Sequence, residues 1–151
     1  MSTLITPEIK AWIGKSEPPY REEVTRRDII KYAVATEQRL QKYLDGDEAP
    51  PMFLFGVLRR MVPLDTLGPD GIAAQSLLPP LPLKRVMAGG TNMQIYRPVK
   101  PGDVLLATRS LVDIYEKSGS TGPLIFIVYE LNVTTEDGEP VVTERTTRIV
   151  R

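Results

Sequence analysis

The chain contains no cysteine and no histidine. Without cysteine there is no disulfide, no thiolate metal site and no cysteine nucleophile, a composition that accords with a reducing cytoplasm, the expected location. The lack of histidine excludes more. Imidazole is the commonest general base near neutral pH, so Ser-His-Asp chemistry, histidine zinc sites and His-Asp hydration dyads cannot be built from this chain alone. Net charge is missing too: 19 basic residues balance 19 acidic ones, leaving no field to gather nucleic acid or an acidic membrane surface. No apolar run approaches a membrane span, and the stretch from Met1 to Trp12 lacks the basic and apolar blocks of a signal peptide. The length of 151 residues predicts a single domain, 1–151, large enough to support a core without staples.

What is present falls into helices first and strands afterwards. Thr6 and Pro7 cap and open a short helix that Gly14 stops. Thr25 and Asp28 form a capping-box-like start to a helix carrying Ile29, Ile30, Ala33 and Val34 as its apolar stripe and breaking up before Asp45. From Pro51 to Val62 the residues are apolar on every side until Arg59 and Arg60, the pattern of an enclosed helix. Gly56 inside it implies a close approach by something else. Residues 63–83 have no clean period and read as a long irregular connection.

After Lys84 four segments, 85–98, 103–117, 123–136 and 139–151, alternate as strands, separated by the turn chemistry of "VKPG", "SGSTG" and "EDG". In the third, Ile125, Ile127, Tyr129, Leu131 and Val133 make one apolar face. Leu124, Phe126 and Val128 on the other face predict that this end is covered twice. Helices followed by hairpin-linked strands indicate an α+β fold, an antiparallel sheet packed on a helix.

A long buried helix followed by a strongly curved antiparallel β-sheet is the hot dog fold. The stretches "IGKSEPPYREEVTRRDIIKYAVAT", "APPMFLF", "GGTNMQIYRPVKPGDVL" and "VDIYEKSGSTGPLIFIVYELNVTTEDGEPVVTERTTRIVR" resemble the MaoC-like dehydratases, specifically the amino-terminal domain shared with the fungal-type fatty-acid-synthase dehydratases. The resemblance implies addition of water to, or its removal from, acyl thioesters. Coenzyme A or acyl carrier protein then enters as part of the substrate, and no separate cofactor is implied. Active members carry Asp-x-Asn-x-x-His before the buried helix, whose amino-terminal amide region polarises the thioester carbonyl. Here that loop reads "EQRLQKYLDGDEA", and Ala88 stands where a histidine precedes the glycine pair. Loss of each proton-transfer role forfeits roughly 10²–10⁴-fold of rate. The resemblance therefore implies a non-catalytic, substrate-accommodating subunit. Its partner would be a MaoC-like catalytic subunit, in a heterodimer or a dimer of heterodimers, with the acyl group left open among short branched, aromatic and steroid side-chain types.

Candidate substrate contacts are Pro51, Met52, Phe53 and Phe55 at the helix start, Gly89 and Gly90, and Asn92, Tyr96, Arg97 and Lys117. Both glycines suit either a sheet bulge or a pantetheine arm against the backbone. Arg59, Arg60, Lys84, Arg85, Arg97 and Lys117 are candidates for coenzyme A phosphates. Asp45, Asp47 and Glu48 are the weak catalytic alternative, as the carboxylate base of a stand-alone thioesterase, against the plainer reading of a solvated turn ahead of a helix. A module that only binds an acyl-CoA or lipid is the third possibility.

Overall fold

The computed structural model describes residues 3–151. In chain order they form α1 (Pro7–Lys10), β1 (Tyr20–Glu23), α2 (Arg26–Ala35), α3 (Gln41–Leu44), α4 (Phe53–Val57), a 3₁₀ turn at Leu64–Thr66, then β2 (Val86–Ile95), β3 (Val104–Gly119), β4 (Gly122–Thr135) and β5 (Pro140–Val150). All five strands join one antiparallel sheet in the order β1-β3-β4-β5-β2. Irregularities at Leu111/Asp113, Ala88/Gly90 and Val133/Thr134 interrupt the ladders, the kind of insertion that bends a sheet.

Alternation decides which face is covered. Ile125, Ile127, Tyr129 and Val133 of β4 and Leu105, Ala107, Leu111 and Ile114 of β3 are buried, and register places them on one face. Two apolar clusters cover it. In the first, Val24, Ile29, Phe53 and Leu54 press on the Leu105, Val133 and Val142 end. In the second, Ile5, Ile9 and Leu77 press on Leu111, Ile127 and Val150, with Leu78, Leu81 and Leu83 alongside. The long connection therefore serves as core cover. On the opposite face Phe126 is half-buried, and its cover is the stacked ring of Tyr115 at 4.9 Å and the Lys117 ammonium at 5.2 Å. No second layer lies there among the described residues.

Both N-caps form as expected: the Thr6 hydroxyl accepts from the Ile9 amide and the Thr25 hydroxyl from the Asp28 amide, satisfying amides that the first helical turn leaves without partners. Two expectations change. The helix after Thr25 ends at Ala35, where Glu37 takes a left-handed φ of 54°. Its amide donates to the Val34 carbonyl and that of Gln38 to the Ala33 carbonyl, a Schellman closure that ends a helix in this geometry. The enclosed helix over 51–62 is also much shorter, five residues from Phe53 to Val57. Phe53 and Leu54 are buried, while Met52, Phe55, Met61 and Val62 are exposed. Arg60 is drawn to the Pro18 carbonyl and the Tyr20 ring, and Arg59 lies over Phe55. Gly56 has nothing nearer its missing side chain than Tyr32 Cδ2 at 4.0 Å, so no close approach explains it. The sheet packs instead on Ile29 of α2, together with Phe53 and Leu54 in the first turn of α4. Tyr32 meets Phe53 edge to face at 5.7 Å.

Candidate functional site

The loop from α3 to α4 is held in place before it can form a wall. Gly46, at φ 71°, crosses α2 so closely that an added Cβ would lie 2.8 Å from Arg26 Cγ and 2.9 Å from its carbonyl oxygen. The Arg26 guanidinium donates to the Asp45 carbonyl and pairs with Asp47, and the Ala49 amide donates to Val99 at 2.8 Å. That last bond ties the loop to the turn following β2. Between them lies a crevice of about 340 Å³, walled by Glu48–Pro51 and Leu54 on one side and Ile95–Val99 and Val142 on the other.

The crevice wall is largely apolar and its charged groups are already occupied. Glu48 accepts from the Lys42 ammonium at 2.7 Å. Arg97 makes a forked pair with Asp103 at 2.9 and 3.1 Å, and its Nε lies 3.3 Å from Glu139 without hydrogen-bond geometry. That pairing raises the Arg97 pKa above its ordinary value, the Asp103 hydrogen bonds first among the causes. At Asp103 burial pushes the pKa upward, but the Arg97 bonds and the Lys100 amide outweigh it and hold the carboxyl below its usual value. The Tyr96 hydroxyl donates to Thr143 Oγ1 at 3.4 Å. Such a pocket can shape and desolvate a ligand; it presents no free acid or base of its own to move a proton.

Of the residues singled out in the sequence, Glu48, Pro51, Tyr96 and Arg97 come together here. Phe53 belongs to the core beneath. Met52 and Phe55 point outward, about half exposed. Asp45 accepts from Gln41 in the exposed turn, and Asp47 is engaged by Arg26, so this geometry favours the solvated-turn reading of the two aspartates. Gly89, Gly90 and Asn92 lie along exposed β2, outside the crevice. Gly89 sits at the bulge, where a Cβ would meet the Thr147 carbonyl at 3.0 Å. Lys117 is at the far end of β3, over Tyr115 and Phe126. Arg85 lines a separate depression with Arg151. Pro50, Leu54, Pro98 and Val99 were not singled out, although the "VKPG" turn that positions two of them is plain in the sequence.

Residues 11–144 match the family model described as the FAS1-like dehydratase domain region. The chain is 25% identical over 118 residues to the mesaconyl-C(4)-CoA hydratase of Chloroflexus aurantiacus, an alignment covering 78% of this chain and 42% of that protein. It thus spans less than half of that relative. Solved structures that share the fold include the C-terminally truncated HadBC (3R-hydroxyacyl-ACP dehydratase) complex of Mycobacterium tuberculosis, with a TM-score of 0.62 at 19% identity over 91% of this chain and 96% of that one, and the ChsH1-ChsH2 complex of the same organism, with 0.67 at 18% identity over 93% and 85%. The five-stranded curved sheet is a hot dog fold. With its family model spanning most of its length, the chain belongs to the FAS1-like dehydratase domain region family, as a MaoC-like hot dog domain.

Proposed function

We propose that this chain is the non-catalytic, substrate-accommodating subunit of a heteromeric MaoC-like enoyl-thioester hydratase or dehydratase in the cytoplasm. The observation that carries the reading is the crevice: apolar walls, with Glu48 and Arg97 already engaged, in a chain without a single imidazole. Pro51 and Tyr96 would contact the acyl thioester there, and the dyad would come from a second hot dog subunit. Both complexes named above support a partner of that kind.

The place for that partner is β2. This edge strand of ten residues, "VMAGGTNMQI", contains neither a charge nor a proline, the devices that usually keep an edge from pairing. It is exposed on both faces, with Val86, Met87 and Ile95 among its uncovered apolar side chains.

Two preparations test the proposal against a panel of enoyl-CoA thioesters: the purified chain alone, and the chain co-expressed with a MaoC-like subunit bearing Asp-x-Asn-x-x-His. The expected result is no hydration by the chain alone, and a heteromer on sizing whose activity depends on the partner's dyad. Robust hydration by the isolated chain would overturn the reading.

A further inference from the structure

The covered face of the sheet is not apolar throughout. Between its two clusters Arg109 of β3 and Arg148 of β5 approach the ring of Tyr129, their guanidinium carbons 4.2 and 5.5 Å from its centroid. Tyr129 is 1% exposed, and its hydroxyl donates to the Leu77 carbonyl at 3.2 Å.

Carboxylates do not match these two charges. Glu17 stands 3.9 Å from Arg109 and also accepts from the Ser76 hydroxyl. Arg148 donates to the neutral side-chain oxygen of Gln75. Among the described residues it has no carboxylate within ion-pair distance, and Glu144, further along the same face, pairs with neither arginine. Burial lowers the Arg148 pKa from the ordinary guanidinium value, Arg109 acts in the same direction, and Tyr129 opposes them. A charge drawn from water without an opposite partner is costly, so this pair favours the arrival of an anion.

Chemistry and access narrow the anion. Each guanidinium has five donors in a planar fork that matches a carboxylate. The surroundings combine the polar Glu17, Ser76 and Gln75 with hydrocarbon, since Leu77, Ile127 and Val150 are buried in the same cluster as Tyr129, a setting for a carboxylate on an apolar body rather than a heavily hydrated phosphate. Ala88 on exposed β2 is the register partner of Arg148, so this part of the covered face borders an uncovered strand.

We infer that Arg109 and Arg148, with Tyr129 between them, form a receptor for a carboxylate carried on an apolar body. The carboxylate has two possible sources, a free carboxylic acid or the far end of an acyl thioester. Only the second rests on the function proposed above. Val142 at the crevice and Arg148 lie on the same strand, about 20 Å apart at the rise of a β-strand. A thioester seated in the crevice therefore reaches the pair only through a long ω-carboxyacyl chain.

The test is a titration of the full chain, labelled at arginine side-chain nitrogen and followed by NMR, with hexanoate, hexan-1-ol and inorganic phosphate. Arg109→Gln and Arg148→Gln serve for assignment. Hexanoate is expected to move both Nε–H resonances saturably, while the alcohol and phosphate leave them in place. Calorimetry then compares a long ω-carboxyacyl-CoA with the uncharged acyl-CoA of equal length. A preference of about tenfold or more, lost in Arg148→Gln, identifies the thioester as source. A hexanoate response without that preference identifies a free acid. If no acyl-CoA binds but hexanoate still does, the proposed function fails and the receptor stands. Absence of a saturable hexanoate response in the wild-type chain, or an equal response to phosphate, overturns the receptor whatever the variants do.

Discussion

β4 and β2 lie in the same sheet, separated by β5, yet their side chains are used in opposite ways. β4 is paired on both edges, and Ile125, Ile127, Tyr129 and Val133 are at most 1% exposed. β2 is paired only to β5, and apart from half-buried Met93 its residues are exposed. The difference teaches that hydrophobic content alone does not identify the core. "IFIVY" and "VMAGG" are both uncharged, but only the first has elements packed over it. Apolar residues left uncovered along an unpaired edge supply a surface for association.

The largest effect that sharpens this contrast is in the core. Ile127→Ala should cost about 2–5 kcal/mol, since a fully buried side chain is removed from a packed site that relaxes only in part. Ile95→Ala on β2, 46% exposed, should cost the isolated chain about 1 kcal/mol or less, while weakening the proposed heteromer more than Ile127→Val does. Urea unfolding of both variants, followed by sizing with the partner, checks the pair. Equal losses of stability would break the comparison.

Where β2 ends, an ion pair takes over from packing. Arg97 reaches Asp103 across the turn to β3, and both side chains are about one-fifth exposed. Asp103→Asn should cost about 2 kcal/mol, because the amide cannot replace the charge-assisted fork. The folded chain holds the Asp103 pKa below its unfolded value. Its stabilisation is therefore fully present above the ordinary aspartate pKa of about 3.9 and is lost as pH falls through the lower folded value. Stability measured from neutral pH into that acid window should fall more steeply for the wild type than for the asparagine variant.

The strands were legible in the sequence because period-two alternation and Gly/Pro turns agree there: all four later segments fall within three residues of β2–β5. The arginine pair was legible in principle, since Arg109 continues the inward series of Leu105 and Ala107, and Arg148 precedes inward Val150 by two. An inward arginine is ambiguous until the facing loop is known, and that loop, around Gln75 and Leu77, has no periodic pattern to place it. Of the crevice, the loop and the turn were readable, but their meeting through Ala49 and Val99 depends on a tertiary contact. The length of α4 was misread because an apolar run shows which residues avoid water, not how many amides can be paired.

The end of α2 gives the smallest effect, and it acts on neither strand. A left-handed residue closing a helix is usually glycine, and here it is Glu37, with a Cβ that crowds this conformation. Glycine would relieve that strain while loosening the unfolded chain, two contributions of opposite sign. Strain relief is the larger, because glycine enters this region freely whereas other residues are held there at about 1 kcal/mol or more. Glu37→Gly should therefore raise stability by about 0.5–1 kcal/mol, read as a higher urea midpoint at unchanged slope. Glu37 lies outside both the crevice and β2, so affinity for the proposed partner should stay as it is. A stabilised helix layer accompanied by weaker association would mean that the surface around α2, and not the open edge of β2 alone, takes part in the docking.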